Sequence, residues 1–177
     1  MTIVETPRLT IREFLPEEEG IYLDHFFNDE EVARYLPKRS REERINLFRG
    51  TIDAYKATRL MGTWGLFNKA DGDFIGSCLL RSFADAPEKV ELGYSMERKY
   101  WGKGIGTEMA VALVNYAFAN LDNPQMVAVT VLENIGSQRV LEKAGFERMP
   151  NLWRDTMELA YFELNKPPLN GAALMST

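Results

Sequence analysis

The segment of this chain best suited to chemistry is Tyr100-Trp101-Gly102-Lys103-Gly104-Ile105-Gly106-Thr107-Glu108. It follows an alternating stretch, Lys89 to Met96, and leads into an apolar-periodic run from about Gly106 to Asn120. Glycines at a strand-to-helix junction let backbone N–H groups approach an anion, and the helix N-terminus adds partial positive charge. Two known phosphate templates fail here. A Walker loop needs four residues before Gly-Lys-Ser/Thr, and Lys103 is followed by Gly104. A dinucleotide fingerprint read from Gly102 ends on Thr107, and read from Gly104 it ends on Met109. Taken alone, the loop reads equally as an anion site or as a flexible turn.

Other candidates are single residues. Glu91 alternates away from Leu92 and Tyr94 on the strand leading to the loop. The commoner fate of such a carboxylate is solvation at a strand edge. His25, the single histidine, excludes His-x-x-x-His metal sites, argues against a Ser–His triad and reads as a helix-surface residue. Cys78, the single cysteine, cannot form an internal disulfide or a Cys-rich zinc site, and reads as a small core hydrophobe. Trp64, Phe67 and Phe74 read as core. No metal is expected.

These residues must be positioned within a chain of 177 residues, the length of one domain with a short tail. Its 45% hydrophobic and 27% charged content is that of a globular chain. A net charge of −5 argues against nucleic-acid binding and suits ordinary solubility. No apolar run approaches the ~20 residues that span a bilayer. Met1 to Arg12 holds no apolar leader core, so a cytoplasmic location without membrane attachment is the expectation.

Periodicity gives the order of elements. Leu9 to Phe14 alternates as a strand. Glu17-Glu18-Glu19 then feeds a helix through Ile21, Tyr22 and Phe26, and Ser40 with Glu43 forms a capping box for a second. Thr63 to Asn68 and Phe74 to Phe83 read as strands joined by an Asp71-Gly72 turn, followed by the strand Lys89 to Met96. After the loop come a helix to Asn120, a strand Met126 to Leu132, a helix Ser137 to Ala144 ended by Gly145, and closing strands Phe146 to Met149 and Met157 to Leu164. The sum is a mixed α/β sheet. Residues 1–166 form the domain and 167–177 read as a loose tail.

An ordered set of segments carries a resemblance. Thr6-Pro7-Arg8-Leu9-Thr10-Ile11-Arg12, Phe74-Ile75-Gly76-Ser77, Gly93-Tyr94, Trp101 to Glu108, and Asn134…Ser137…Val140-Leu141-Glu142-Lys143-Ala144-Gly145-Phe146 together resemble GNAT-fold N-acetyltransferases of the RimJ/RimL-like branch. The likeness spans about residues 6 to 164. It implies a single mixed central sheet, flanked by helices, that splays open after the strand ending at Met96. Acetyl-CoA would lie in the gap as co-substrate. Backbone groups of Tyr94, Ser95 and Met96 would pair with its pantetheine, and Trp101, Gly102, Lys103, Gly104, Ile105, Gly106 and Thr107 would hold its pyrophosphate. Asn134 would bond the pantetheine, or cap the next helix.

The resemblance also implies transfer of an acetyl group to a primary amine by direct attack in a ternary complex. Many superfamily members protonate the leaving thiolate with a tyrosine where Leu141 stands here. Ser137 is the nearest substitute, or else a helix-capping serine. For the base, Glu91 comes first, with Glu133, Glu158 and Asp155 behind it. An α-amine, pKa about 7.7–8, is partly neutral near pH 7.5, whereas a lysine at about 10.4 costs roughly 4 kcal/mol to deprotonate there. A chain without an evident strong base therefore suits a protein or peptide N-terminus. A small amine such as a polyamine or antibiotic, and a non-catalytic acyl-CoA sensor, stay open. The state would be monomer or homodimer.

Overall fold

The computed structural model describes residues 1–57, 60–122 and 124–166. The segment 167–177, read above as a tail, lies outside them. Eight strands form one sheet in the order β1-β2-β3-β4-β5-β6-β8-β7. Their ranges are β1 Thr2–Glu5, β2 Leu9–Arg12, β3 Gly62–Asn68, β4 Phe74–Phe83, β5 Ala86–Met96, β6 Met126–Val131, β7 Glu147–Arg154 and β8 Met157–Leu164. Every neighbouring pair is antiparallel except β5 with β6. A parallel pair needs a crossover. Helix α4, Ile105–Asn120, supplies it.

The open mixed α/β sheet matches the sequence expectation. The strand β1 was not expected: its apolar residues, Ile3 and Val4, are adjacent and show no alternation. Three helices precede β3: α1 Glu19–Phe27, the single turn α2 Glu30–Ala33, and α3 Arg41–Ala54. At α3 the Ser40 hydroxyl accepts from Glu43 N–H, and the Glu43 carboxylate accepts from Ser40 N–H, so the capping box forms. Helix α5, Ile135–Lys143, follows β6 and ends at Gly145, which takes a left-handed φ of 94°.

Alternation of side chains gives the sheet two different faces. Ile11, Leu66, Trp64, Cys78, Leu80, Leu92 and Phe162 form one core with Met109, Ala110 and Leu113 of α4 and Leu141 of α5. On the opposite face Phe14 packs with Tyr22, Leu23 and Phe26 of α1 and Phe48 of α3. Cys78 is buried in the first core, and desolvation raises its thiol pKa. Trp64 and Phe67 are buried, and Phe74 packs against the second core.

Gly76 shows how closely the backbone is packed beside the splayed strand. A Cβ there would lie 2.1 Å from the Ser95 carbonyl oxygen and 2.8 Å from Met96 Cα. Neither atom is a side chain that could rotate away. Gly76→Ala should therefore destabilise by about 3 kcal/mol. Gly50→Ala, inside α3 with no atom within 4 Å of the added methyl, should stabilise by about 1 kcal/mol. Urea unfolding of both variants checks the contrast.

Candidate active site

The site begins where β5 and β6 part. They pair at Val90 with Met126 and at Glu91 with Val127, and their pairing ends there. On its other edge β5 stays paired with β4 as far as Met96. The backbone direction in the gap follows from two bonds. Val90 N–H donates to Gln125 O on the β6 side, and Glu97 N–H donates to Ile75 O on the β4 side. Peptide groups alternate along a strand. The N–H and C=O groups of Leu92, Tyr94 and Met96 therefore face the gap, and those of Gly93 and Ser95 face β4.

This revises one expectation. Tyr94 and Met96 present backbone groups to the gap, whereas Ser95 turns its own to β4, where it pairs with Ser77. The Met96 carbonyl already accepts from Trp101 Nε1 at 2.9 Å. The Trp101 side chain thus ties the loop to the end of β5, although the residue stays 40% exposed. That is a positional role no backbone-reading template would assign.

The three glycines of the loop serve different needs. Gly102 and Gly104 have φ of 71° and 76°, left-handed conformations that side chains disfavour. Gly104 is the N-cap of α4, and the first helical bond runs from Glu108 N–H to Gly104 C=O. The N–H groups of Ile105, Gly106 and Thr107 precede that bond and lie at the positive end of the helix. Gly106 is a packing position, since a Cβ would lie 3.0 Å from Met96 Cε and 3.2 Å from Val140 Cγ2. Lys103 turns its carbonyl away to Arg8 Nη1, at 2.9 Å.

On the α4/α5 face, Tyr94 O–H donates to Ser137 Oγ at 3.1 Å. Burial raises the Tyr94 phenol to about 12, against the opposing effect of the Ser137 bond, so it remains a donor near neutrality. Asn134 caps α5 by accepting from Ser137 N–H at 3.1 Å. Ser137 is therefore the capped residue, and its hydroxyl is turned to Tyr94. Leu141 is buried in the core and offers no polar group.

On the opposite face Glu91 stands at the vertex of the gap, 6% exposed, with Arg81 Nε donating to its carboxylate at 2.8 Å. Glu91 and Ser137 thus lie on opposite faces of β5. Arg81 was not singled out from sequence, because the register that sets it opposite Glu91 depends on the β4–β5 turn. The other acidic candidates lie on or near the strands after the gap. Glu133 follows β6, Asp155 takes the left-handed turn between β7 and β8 with φ of 54°, and Glu158 accepts from Asn151 Nδ2 at 2.7 Å.

His25 departs from the surface position expected for it. It is 2% exposed, with Nδ1 2.9 Å from Glu97 Oε1 and Nε2 2.8 Å from Ser95 Oγ. Ser95 Oγ lies in turn 3.2 Å from Ser77 Oγ. The lone histidine thus does line up a serine and an acid, but around a buried hydroxyl. The arrangement pins α1 to the end of β5. Among the described residues no group of three His, Cys, Asp or Glu side chains could hold a metal ion. No helix among them is long and apolar enough to cross a membrane.

Residues 8–147 match the acetyltransferase (GNAT) domain family. The chain is 28% identical over 149 residues to the uncharacterized N-acetyltransferase YoaA of Bacillus subtilis strain 168, covering 82% of this chain and 83% of that one. Among solved structures it resembles a putative ribosomal-protein-serine acetyltransferase from Vibrio cholerae, with TM-score 0.76, 22% identity and coverage of 94% and 98%. It also resembles RimL, a ribosomal L7/L12 alpha-N-protein acetyltransferase in complex with coenzyme A, with TM-score 0.77, 14% identity and coverage of 93% and 98%. The chain belongs to the GNAT acetyltransferase family. It is a GNAT-family N-acetyltransferase, with the fold of the RimL-type enzymes.

The buried histidine generates a pH prediction. Desolvation lowers the His25 pKa from its ordinary 6.5, outweighing the opposite pull of Glu97 and Asp29, with Arg44 reinforcing the drop. The unfolded chain binds this proton more readily than the folded one. Stability from this residue is therefore full above pH 6.5 and is lost as pH falls below it. The melting temperature should decline between pH 6.5 and 5, and the decline should be shallower in His25→Gln. Thermal unfolding across that range measures both slopes.

Proposed function

We propose that this protein transfers the acetyl group of acetyl-CoA to the α-amine of a protein or peptide N-terminus. The observation that carries the reading is the parting of β5 from β6 at Glu91, directly upstream of a glycine loop at a helix N-terminus. An extended pantetheine has partners in the Leu92, Tyr94 and Met96 backbone groups, with the Met96 N–H offered and its carbonyl held by Trp101. A pyrophosphate has the amides from Gly102 to Thr107, with Lys103 and Ile105 contributing backbone groups. Asn134 can do both things through different atoms: its Oδ1 accepts from Ser137 N–H as the cap of α5, and its Nδ2 is the group that would donate to the pantetheine.

The thioester supplies the activated acyl carbon, and this chain's part is largely positioning. The amine would approach from the face that carries Glu91, which accepts its proton directly or through water. Ser137 would meet the departing sulfur from the α4/α5 face. Tyr94 donates to Ser137 Oγ, so the Ser137 proton is directed to another acceptor. A thiolate is a good leaving group, so one weak donor suffices.

The acceptor class rests on two supports. The V. cholerae neighbour is a putative ribosomal-protein-serine acetyltransferase, and RimL is a ribosomal L7/L12 alpha-N-protein acetyltransferase. Independently, an α-amine is already partly neutral at working pH, which suits a site whose candidate base is an ion-paired carboxylate.

One peptide in two forms, free and blocked at its α-amine, each with an internal lysine, tests the acceptor. Labelled acetyl-CoA should mark the free form at least tenfold faster. Equal labelling would shift the reading to lysine side chains. Turnover on spermidine with neither peptide labelled would establish a small-amine enzyme, and tight CoA binding without any turnover would establish a sensor.

Glu91→Gln tests the base. With the free peptide, its kcat/KM should fall about tenfold at pH 6.5, and the deficit should shrink above pH 8 as neutral amine accumulates. A pH–rate profile parallel to wild type would remove Glu91 from proton transfer.

A further inference from the structure

A loop that binds an anion through backbone amides must turn its carbonyls elsewhere. In this protein the Lys103 carbonyl is received by a residue of the N-terminal segment. Arg8, in the turn between β1 and β2, donates from Nη1 to the Lys103 carbonyl at 2.9 Å. Its Nε donates to Glu108 Oε2 at 2.6 Å, and its backbone N–H to Glu108 Oε1 at 3.1 Å. Thr6 Oγ1 donates to the same Glu108 Oε1 at 2.5 Å and itself accepts from Leu9 N–H at 2.9 Å. A Cβ at Gly104 would lie 3.5 Å from Arg8 Nη2, so the guanidinium sits directly against the left-handed N-cap.

The chemistry of this cluster is specific. Lys103 lies between two left-handed glycines, and its carbonyl is the group most able to rotate toward an incoming anion and repel it. Glu108, in the first turn of α4, suits the helix dipole but would repel a neighbouring pyrophosphate. Burial would raise its carboxyl pKa, but bonds from Thr6 and Arg8 outweigh this and hold it ionised and occupied. The planar Arg8 fork engages carbonyl and carboxylate together, a geometry that a lysine's single ammonium does not reproduce.

We propose that Thr6 and Arg8 are positioning residues for acetyl-CoA: they lock the Lys103 carbonyl and the Glu108 carboxylate behind the glycine loop, leaving its amides presented to the pyrophosphate. The inference rests on the reading of residues 102–107 as the pyrophosphate loop. It gives the Thr6-Pro7-Arg8-Leu9 opening a part in ligand binding, beyond starting a strand.

The test compares acetyl-CoA with S-acetylpantetheine, which lacks the pyrophosphate and the 3′-phosphoadenosine beyond it, by calorimetry on the full chain, with acetyl-dephospho-CoA as the control that keeps the pyrophosphate and should be preferred over S-acetylpantetheine as acetyl-CoA is. Wild type should prefer acetyl-CoA strongly. Arg8→Lys keeps the charge at a half-exposed position and should cut that preference at least tenfold, with circular dichroism and melting temperature near wild type. Thr6→Ala should cut it about threefold. If Arg8→Lys retains the wild-type preference, Arg8 acts at most as a point charge and the inference is overturned while the loop reading stands. Equal loss of affinity for both thioesters would trace the effect to the fold at large and also overturn it. A wild-type protein that does not prefer acetyl-CoA would remove the loop reading itself, and this inference with it.

Discussion

The arrangement depends on one interrupted ladder. β5 and β6 pair at two residues of each and then separate, while each stays fully paired on its far side. Buried strand edges are costly because backbone polar groups need partners. Here the cost is confined to the two facing edges of one gap. Everything else follows from keeping that gap open at one end and closed at the other. Met109, Ala110 and Leu113 of α4 fill the core beneath β5, and Leu141 of α5 fills it beneath β6. The glycine loop carries the chain from the end of β5 into α4.

The two faces of β5 divide the chemistry. Leu92, Tyr94 and Met96 direct side chains to the α4/α5 core, and Tyr94 reaches Ser137 there. Glu91 and Ser95 direct theirs to the other face, where Arg81 and His25 meet them. One strand therefore presents a backbone edge, a hydroxyl pair and a carboxylate on three separate sides. Charged groups on the Glu91 face are mostly paired, as in Arg81–Glu91 and Lys89–Glu163. That face is therefore a surface of balanced charge, not a field of one sign.

Much of this was legible in the residues. Period-two alternation placed β2 and β5, and the Asp71-Gly72 turn between two apolar runs placed β3 and β4, each within a few residues of its observed ends. The capping box at Ser40 and Glu43 and the Gly145 stop were readable because each is a local rule of backbone hydrogen bonding. β1 escaped because its apolar residues, Ile3 and Val4, are adjacent, and α2 because a single turn is too short to show a helical period. His25 was misplaced for a different reason. Tyr22, His25 and Phe26 share one helical face at spacings of three and four, so the position was marked as buried, but a polar residue type argued the other way. The Arg81–Glu91 pair and the Arg8–Glu108 contact depend on register and on chain ends meeting in space. No local pattern encodes either.

The two-residue junction between β5 and β6 has a mechanical meaning. On one side of it stands a sheet of five strands closed by antiparallel ladders, and on the other a sheet of three. Shear between the two blocks would break little backbone pairing, so their alignment is set mainly by side chains from α4 and α5. Cooperativity in this protein is thus carried across the molecule by its helical layer, and the sheet is the weaker conductor. Substitutions at the α4–α5 seam, such as those touching Gly106 and Val140, act on the mutual setting of the two blocks before they act on either block's integrity.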